Sequence, residues 1–125
     1  MKEVGLRSSK ILFRTDGIVE VVFGQNAVID LDDCYDIMNV YKQELSGKKV
    51  PILLVVGNYT NFTAEAKAYG ASPEGLEFSI AEAFVYNSLP HKIIGNFYLA
   101  LNKPSVPTQF FKIKAEAEAW LKTFL

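Results

Sequence analysis

Reactive side chains are sparse in this sequence. His91 is its one histidine, placed beside Lys92 in what reads as the first turn of a helix. A general base needs a partner that orients it, and the neighbouring residues identify none. His91 is therefore read as a surface histidine that can offer a ligand a titratable ring, not as a catalytic base. Cys34 is the one cysteine, so the chain cannot form an internal disulfide. Reactive thiols sit in electropositive, accessible places. Cys34 instead has Asp32, Asp33 and Asp36 close by in sequence and lies on an apolar stripe, which marks it as a buried structural cysteine.

Asp30, Asp32, Asp33 and Asp36 supply oxygens of the kind a cation needs. Their spacing matches no EF-hand loop, and no second histidine or cysteine is present for zinc. A helix start explains the first three, with Asp30 as the cap and the others complementing the helix dipole. Gly57 follows an apolar run, but no GxGxxG or Walker pattern surrounds it. No catalytic residue, no metal site and no cofactor are expected.

The chain carries 13 Lys and Arg against 14 Asp and Glu, a formal net charge of −1. Without a basic tract it lacks the electrostatic footprint of a nucleic-acid binder. Its 125 residues are 50% hydrophobic, enough to bury a core as one domain, residues 1–125, without disulfides or metals. The longest apolar runs, such as Val50 to Val56, are far too short for an integral membrane segment. Met1-Lys2-Glu3-Val4-Gly5 opens with mixed charges and lacks the apolar stretch of a signal peptide. A cytoplasmic location is expected.

The elements that must position any site follow from hydrophobic periodicity. Ile11–Thr15 and Ile18–Phe23 flank Asp16-Gly17, which predicts a β-hairpin with a type I′ turn. Asp30 caps a helix with Leu31, Cys34, Tyr35, Met38, Tyr41 and Leu45 on one stripe, ended by Gly47. Pro51–Val56 is apolar without alternation, as in a parallel strand covered on both faces. Gly57–Asn61 is a loop, Thr63 caps a short helix stopping at Gly70, and Ser72-Pro73 restarts a helical turn. Ala81–Tyr86 is a strand, and Ser88 caps a helix running through Pro90 to Leu101. Asn102 closes that helix in a left-handed conformation before Pro104. Gln109–Ile113 is the last strand, and Ala117, Trp120, Leu121 and Phe124 mark an uncapped C-terminal helix. The fold class is α/β: an N-terminal hairpin, then strand–helix units forming a mixed, mostly parallel sheet flanked by helices. Ile52, Leu54, Val56, Phe84 and Tyr86 or Val85 form its expected core.

Open α/β sheets place ligands at the C-terminal ends of their strands. The segments meeting there are Asn58 to Thr63 and Ser88 to His91, both at helix N-termini that receive anions or carboxylates. Asn58, Tyr59, Thr60, Asn61, Thr63 and His91 are accordingly the candidate ligand- or partner-binding residues.

The C-terminal half reads Ile94-Gly95-Asn96-Phe97-Tyr98-Leu99-Ala100-Leu101-Asn102-Lys103-Pro104, then Pro107-Thr108, then Phe110 or Phe111, and then Ala119-Trp120-Leu121. Together with the Asp16-Gly17 hairpin, the Asp-capped helix and the apolar Pro51–Val56 strand, this resembles a family of small uncharacterised bacterial proteins. That family is grouped with the STAS/SEC14-type, SpoIIAA-like domains. The resemblance covers nearly the whole chain. Gly95, Asn96, Phe97, Asn102, Lys103 and Pro104 carry most of it, and helix packing followed by a helix stop also explains these residues. It implies a STAS-like β/α superhelix and no enzyme activity. STAS domains that antagonise anti-sigma factors carry a phosphorylatable serine in an Asp-Ser pair, at the start of the helix after the central strand. The equivalent region here is Asn61-Phe62-Thr63. Thr63 offers a hydroxyl as a candidate phospho-acceptor, but the Asp-Ser pair is absent.

The resemblance implies a non-enzymatic regulatory or protein-interaction module with an unknown protein partner. The alternative is a carrier of a small apolar or lipid-like ligand, suggested by the SEC14 kinship and the aromatic-rich helix from Ile93 to Leu101. That helix offers Ile93, Ile94, Phe97, Tyr98 and Leu101 over a broad arc, and such a helix buries its excess against something. A homodimer is expected. Light scattering at micromolar concentration should report twice the monomer mass of 14.0 kDa, and a monomer-sized particle contradicts the expectation.

Overall fold

Asp16-Gly17 turns the chain, as part of a longer loop than a two-residue type I′ turn. The computed structural model describes residues 1–86, 95, 98 and 102–125. Strand β2 (Ser9–Phe13) stops before Arg14, and β3 (Val19–Phe23) starts after Ile18. Arg14 N donates to Ile18 O at 3.1 Å, and Gly17 N donates to Arg14 O at 3.3 Å. Gly17 takes the positive φ, +93°, while Asp16 does not. A three-residue loop ending in a left-handed glycine satisfies the same sequence signal. A strand that the hydrophobic pattern does not disclose, β1 (Lys2–Gly5), pairs antiparallel with β2. Its Lys-Glu-Val-Gly turns only Val4 toward the core, too little alternation to mark a strand.

After β4 (Val28–Ile29), Asp30 caps α1 (Leu31–Leu45) as the sequence predicts. The cap is reciprocal: Asp33 N donates to Asp30 Oδ1 at 2.9 Å, and Asp30 N donates to Asp33 Oδ2 at 3.0 Å. Arg7 closes this acidic group, with Nη2 at 2.8 Å from Asp33 Oδ1 and 3.3 Å from Asp30 Oδ1. Among the described residues, no group of three or more His, Cys, Asp or Glu side chains is placed to hold a metal ion. The helix leaves through Ser46 at φ +50° and Gly47 at φ +80°.

Then follow β5 (Val50–Val55), the two-residue β6 (Asn61–Phe62) and α2 (Ala64–Ala71). The end of the expected Gly57–Asn61 loop is thus in a strand, since β6 pairs in parallel with β4. Ser72 and the residues after it form a turn rather than a restarted helix. β7 (Ser79–Val85), β8 (Thr108–Phe111) and α3 (Lys114–Lys122) complete the chain. The predicted helix through Pro90 lies mostly outside the described residues, where residues 95, 98 and 102 are helical. Asn102 therefore belongs to the helix, and its Nδ2 donates to Tyr98 O at 3.3 Å. The left-handed exit falls instead on Lys103, at φ +46°, with Pro104 next.

The main sheet has the order β1-β2-β3-β5-β7-β8. Its first three strands are antiparallel, and β3, β5, β7 and β8 run parallel. One face is built from Ile11, Val19, Val21, Phe23, Val50 and Ile52 and is covered by Ile37, Met38 and Tyr41 of α1. The other gathers Ile18, Leu53, Ala81, Ala83 and Val85 against Ala117 and Leu121 of α3. Ion pairs lock this second face. Arg14 reaches Asp16 at 2.7 Å, Glu20 at 3.1 Å and Glu118 at 2.6 Å, and Lys114 meets Glu20 at 2.8 Å. Burial alone would raise the Asp16 carboxyl, but the Arg14 guanidinium outweighs it and holds that carboxyl below its usual range.

The central strand is sealed on both faces, as its unbroken apolar run predicts. The register within it differs from expectation. Ile52 and Leu53 are fully buried, whereas Leu54 and Phe84 are half-buried. Leu53→Ala should therefore cost about 2–5 kcal/mol on chemical denaturation, and more than Leu54→Ala. An equal or reversed pair of losses would contradict this register.

Candidate functional site

Leu54 and Phe84 are half-buried because they border a cavity of about 150 Å³. It lies on the α1 face of the sheet. Side chains two apart along a strand share a face, so Leu54 and Val56 enter the cavity wall together, as do Glu82, Phe84 and Tyr86, with Phe110 beyond them on β8. Cys34, Ile37, Met38 and Tyr41 of α1, at three- and four-residue spacing, form the opposite wall with Tyr69 and Gly70 of α2. Tyr98 and Gly95 close the β8 side. A Cβ at residue 95 would sit 2.6 Å from the Phe110 ring, which is the reason that position holds glycine.

Glu82 stands out in this wall. It is 7% exposed, and its Oε2 accepts a hydrogen bond of 2.9 Å from Ser79 Oγ. Burial pushes the carboxyl up to about 7, against the smaller downward pull of the Ser79 hydroxyl. Tyr41 and Tyr98 are also buried, and among the described residues neither hydroxyl has a hydrogen-bond partner. Burial raises both phenols, and the nearby Glu82 charge adds to the effect. The Cys34 thiol is raised to about 11 by burial, helped by the charges of Asp33 and Asp30. It is half-buried rather than fully buried, on the cavity wall. Sequence reading passes over Glu82, although a signal exists. A carboxylate in a strand that must be covered on both faces is a buried charge, and buried charges need a reason.

The candidate loop is assembled from the same end of the sheet. Thr60 Oγ1 donates to Gly24 O at 2.7 Å, Asn26 N donates to Asn58 O at 2.9 Å, and Asn61 N donates to Ala27 O at 2.9 Å. A Cβ on Gly57 would come within 3.1 Å of Phe23 O and 3.2 Å of Gln25 N, so the two loops can approach only at a glycine. Thr60 and Asn61 reach the cavity wall. Asn58 and Tyr59 face outward, with Tyr59 77% exposed and at φ +59°. Thr63 Oγ1 accepts from Ala66 N at 3.1 Å as the cap of α2. His91, Asn96, Phe97 and the Ser88 cap lie outside the described residues.

Residues 11–125 match the model of a family described as a domain of unknown function, DUF7793, and the chain belongs to that family. No curated protein matches it. Its structure is similar to that of an uncharacterized protein of the DUF3478 family with a SpoIIAA-like fold from Shewanella loihica PV-4. The TM-score is 0.60 at 14% identity, over 97% of this chain and 99% of that one. The α/β, STAS-like architecture is thereby established. A protein with unknown function from Arthrobacter sp. FB24 is 22% identical over 89% of this chain and 96% of that one, with a TM-score of 0.33, too low to speak for the fold. No helix among the described residues is long and apolar enough to cross a membrane.

Glu82 makes stability depend on pH. In the folded chain it keeps its proton up to about pH 7, while in the unfolded chain it releases it near the ordinary value of 4.5. The folded state binds more protons between these values. The contribution is thus complete below the unfolded value, declines as pH rises toward the folded one, and is lost above it. The decline is on the order of 3 kcal/mol. Glu82→Gln should remove this slope and stabilise the protein at pH 8. Denaturation at pH 5 and pH 8 checks it, and an unchanged slope in the variant refutes the assignment.

Proposed function

We propose that this DUF7793-family chain is a non-enzymatic binding module that takes a small, largely apolar molecule into the cavity between the sheet and helices α1 and α2. The cavity itself carries the reading. Its wall is mainly Leu, Ile, Met, Phe and Tyr, with a few convergent polar groups, the usual composition of a small-molecule site. A cavity of about 150 Å³ holds a body the size of a benzene ring. Support for a non-enzymatic role comes from Cys34, whose raised thiol supplies little nucleophilic thiolate at neutral pH.

The regulatory or partner-binding role expected from sequence fits the same module. Thr60 and Asn61 touch the cavity from one side of their loop, while Tyr59 presents its ring to solvent from the other. A bulky residue held in the left-handed region costs conformational energy, and Tyr59 does not recover it through burial. A partner reading this loop would sense what the cavity holds. A homodimer, expected from the broad apolar arc of Ile93, Ile94, Phe97, Tyr98 and Leu101, is compatible with such a module.

Toluene is a suitable first probe, followed by NMR at the methyl groups of Leu54 and Met38. Saturable shifts at both are expected. Gly70→Leu should abolish them, because a Cβ there meets only the Tyr98 hydroxyl, at 3.7 Å, and the longer side chain fills the space. Replacing a helical glycine also gains up to about 1 kcal/mol in propensity, so lost binding would not reflect unfolding. Shifts that persist in Gly70→Leu, or that never appear in the parent, would sink the reading.

A further inference from the structure

Glu82 and Tyr41 reach the cavity from β7 and α1, and Tyr98 from its own helical position. Each is more than nine-tenths buried. Ser79 occupies Oε2 of the carboxyl, and among the described residues Oε1 has no hydrogen-bond partner. An acceptor left this way in an apolar site is costly unless a donor reaches it. The surrounding rings add a second bias. Phe84 stacks on Phe110 at 4.7 Å, and Tyr98 meets them edge-on at 5.9 and 6.3 Å. Aromatic faces attract cations, and a carboxylate accepts its strongest hydrogen bonds from charged donors.

Resting on the reading of this cavity as the ligand site, we infer that it selects an amine carried on an apolar, ring-sized body, with the amine donating to Glu82 Oε1 and the body held among Phe84, Phe110 and Tyr98. The same arrangement turns away carboxylates and phosphates, because two anions would share one desolvated space. Tyr41 and Tyr98 line the same cavity and feel the Glu82 charge, which makes their hydroxyls further partners for a polar head.

The other ionisable groups facing the cavity are Cys34 and Tyr41 from α1, Lys67 and Tyr69 from α2, Tyr86 just after β7, and Tyr98. Burial holds the Cys34 thiol at about 11 and, with Glu74, the Tyr69 hydroxyl at about 12. Burial raises the Tyr41 and Tyr98 hydroxyls as well. Lys67 is the like charge that a bound amine must share the cavity with. Glu82, at about 7, is therefore the group whose ionisation sets amine affinity between pH 6 and pH 8.

The test compares benzylamine, toluene and benzoate by NMR titration at the Leu54 and Met38 methyls. At pH 8 benzylamine should bind on the order of tenfold more tightly than toluene, and benzoate should be excluded. The benzylamine-to-toluene ratio should fall at pH 6, and Glu82→Gln should bring it to about one while toluene affinity is kept. Toluene binding as tightly as benzylamine, or benzoate binding best, overturns the amine preference and leaves the cavity reading standing. Absence of all three probes from the cavity overturns the reading beneath it. If Glu82→Gln does not fold, the comparison of pH 6 with pH 8 in the parent decides, and equal ratios overturn the proposal.

Discussion

A parallel strand in the middle of a sheet has two apolar faces, and each must be covered. In this chain that demand falls on β5, which sends Ile52 and Leu54 to one face and Leu53 and Val55 to the other. The faces are covered by different means. On one, α3 lies across strands lined with Ala81 and Ala83, where small side chains let the helix come close, and Arg14, Glu20, Lys114 and Glu118 tie its start to the hairpin. On the other, α1 seals β3 and the near half of β5. Farther along, the wall passes to α2, which meets α1, and to Gly95 and Tyr98. The cavity lies where these covers meet.

This asymmetry explains why a carboxyl can persist at residue 82. On the α3 face it would be driven into a tight contact with no room for a partner. On the cavity face it adjoins open volume and two phenols, at the cost of a shifted ionisation. Burial of a lone charge is avoided by keeping the proton, so at neutral pH the group stands near the balance between its two forms. A site of this kind responds to whatever enters it, because a donor favours the ionised form and an apolar body favours the neutral one. The loops at the same end of the sheet give that response a route outward. Thr60 is pinned to Gly24, and β6 is paired to β4, so the loop carrying Tyr59 is attached to the wall of the cavity.

Much of the architecture can be read in the sequence because its signals are local. Asp30 announces α1 by its own side chain, Thr63 announces α2 in the same way, and the run from Pro51 to Val56 has no other home than a strand covered on both faces. What escaped depends on contacts between distant segments. The turn at Asp16-Gly17 takes in Thr15, which the dipeptide alone does not reveal. β4 and β6 are two residues each and exist only because their loops meet. Leu53 and Leu54 are chemically the same, and a strand apolar on both faces carries no alternation to say which of them meets a helix and which a cavity. Of the candidate site, Thr60 and Asn61 fall on the cavity wall, whereas Asn58, Tyr59 and Thr63 serve the loop and the helix cap. Glu82 escaped because it sits between two alanines in a convincing strand, and its meaning depends on what lies opposite.

What this cavity accepts depends most on the state of one carboxyl, and that state can be observed directly. A carbon-13 NMR titration of the Glu82 side-chain carboxyl in the intact protein should show a midpoint of about 7, displaced downward when benzylamine is present. A midpoint at the ordinary value near 4.5, unmoved by the amine, would mean that Glu82 is solvated and takes no part in a closed ligand site.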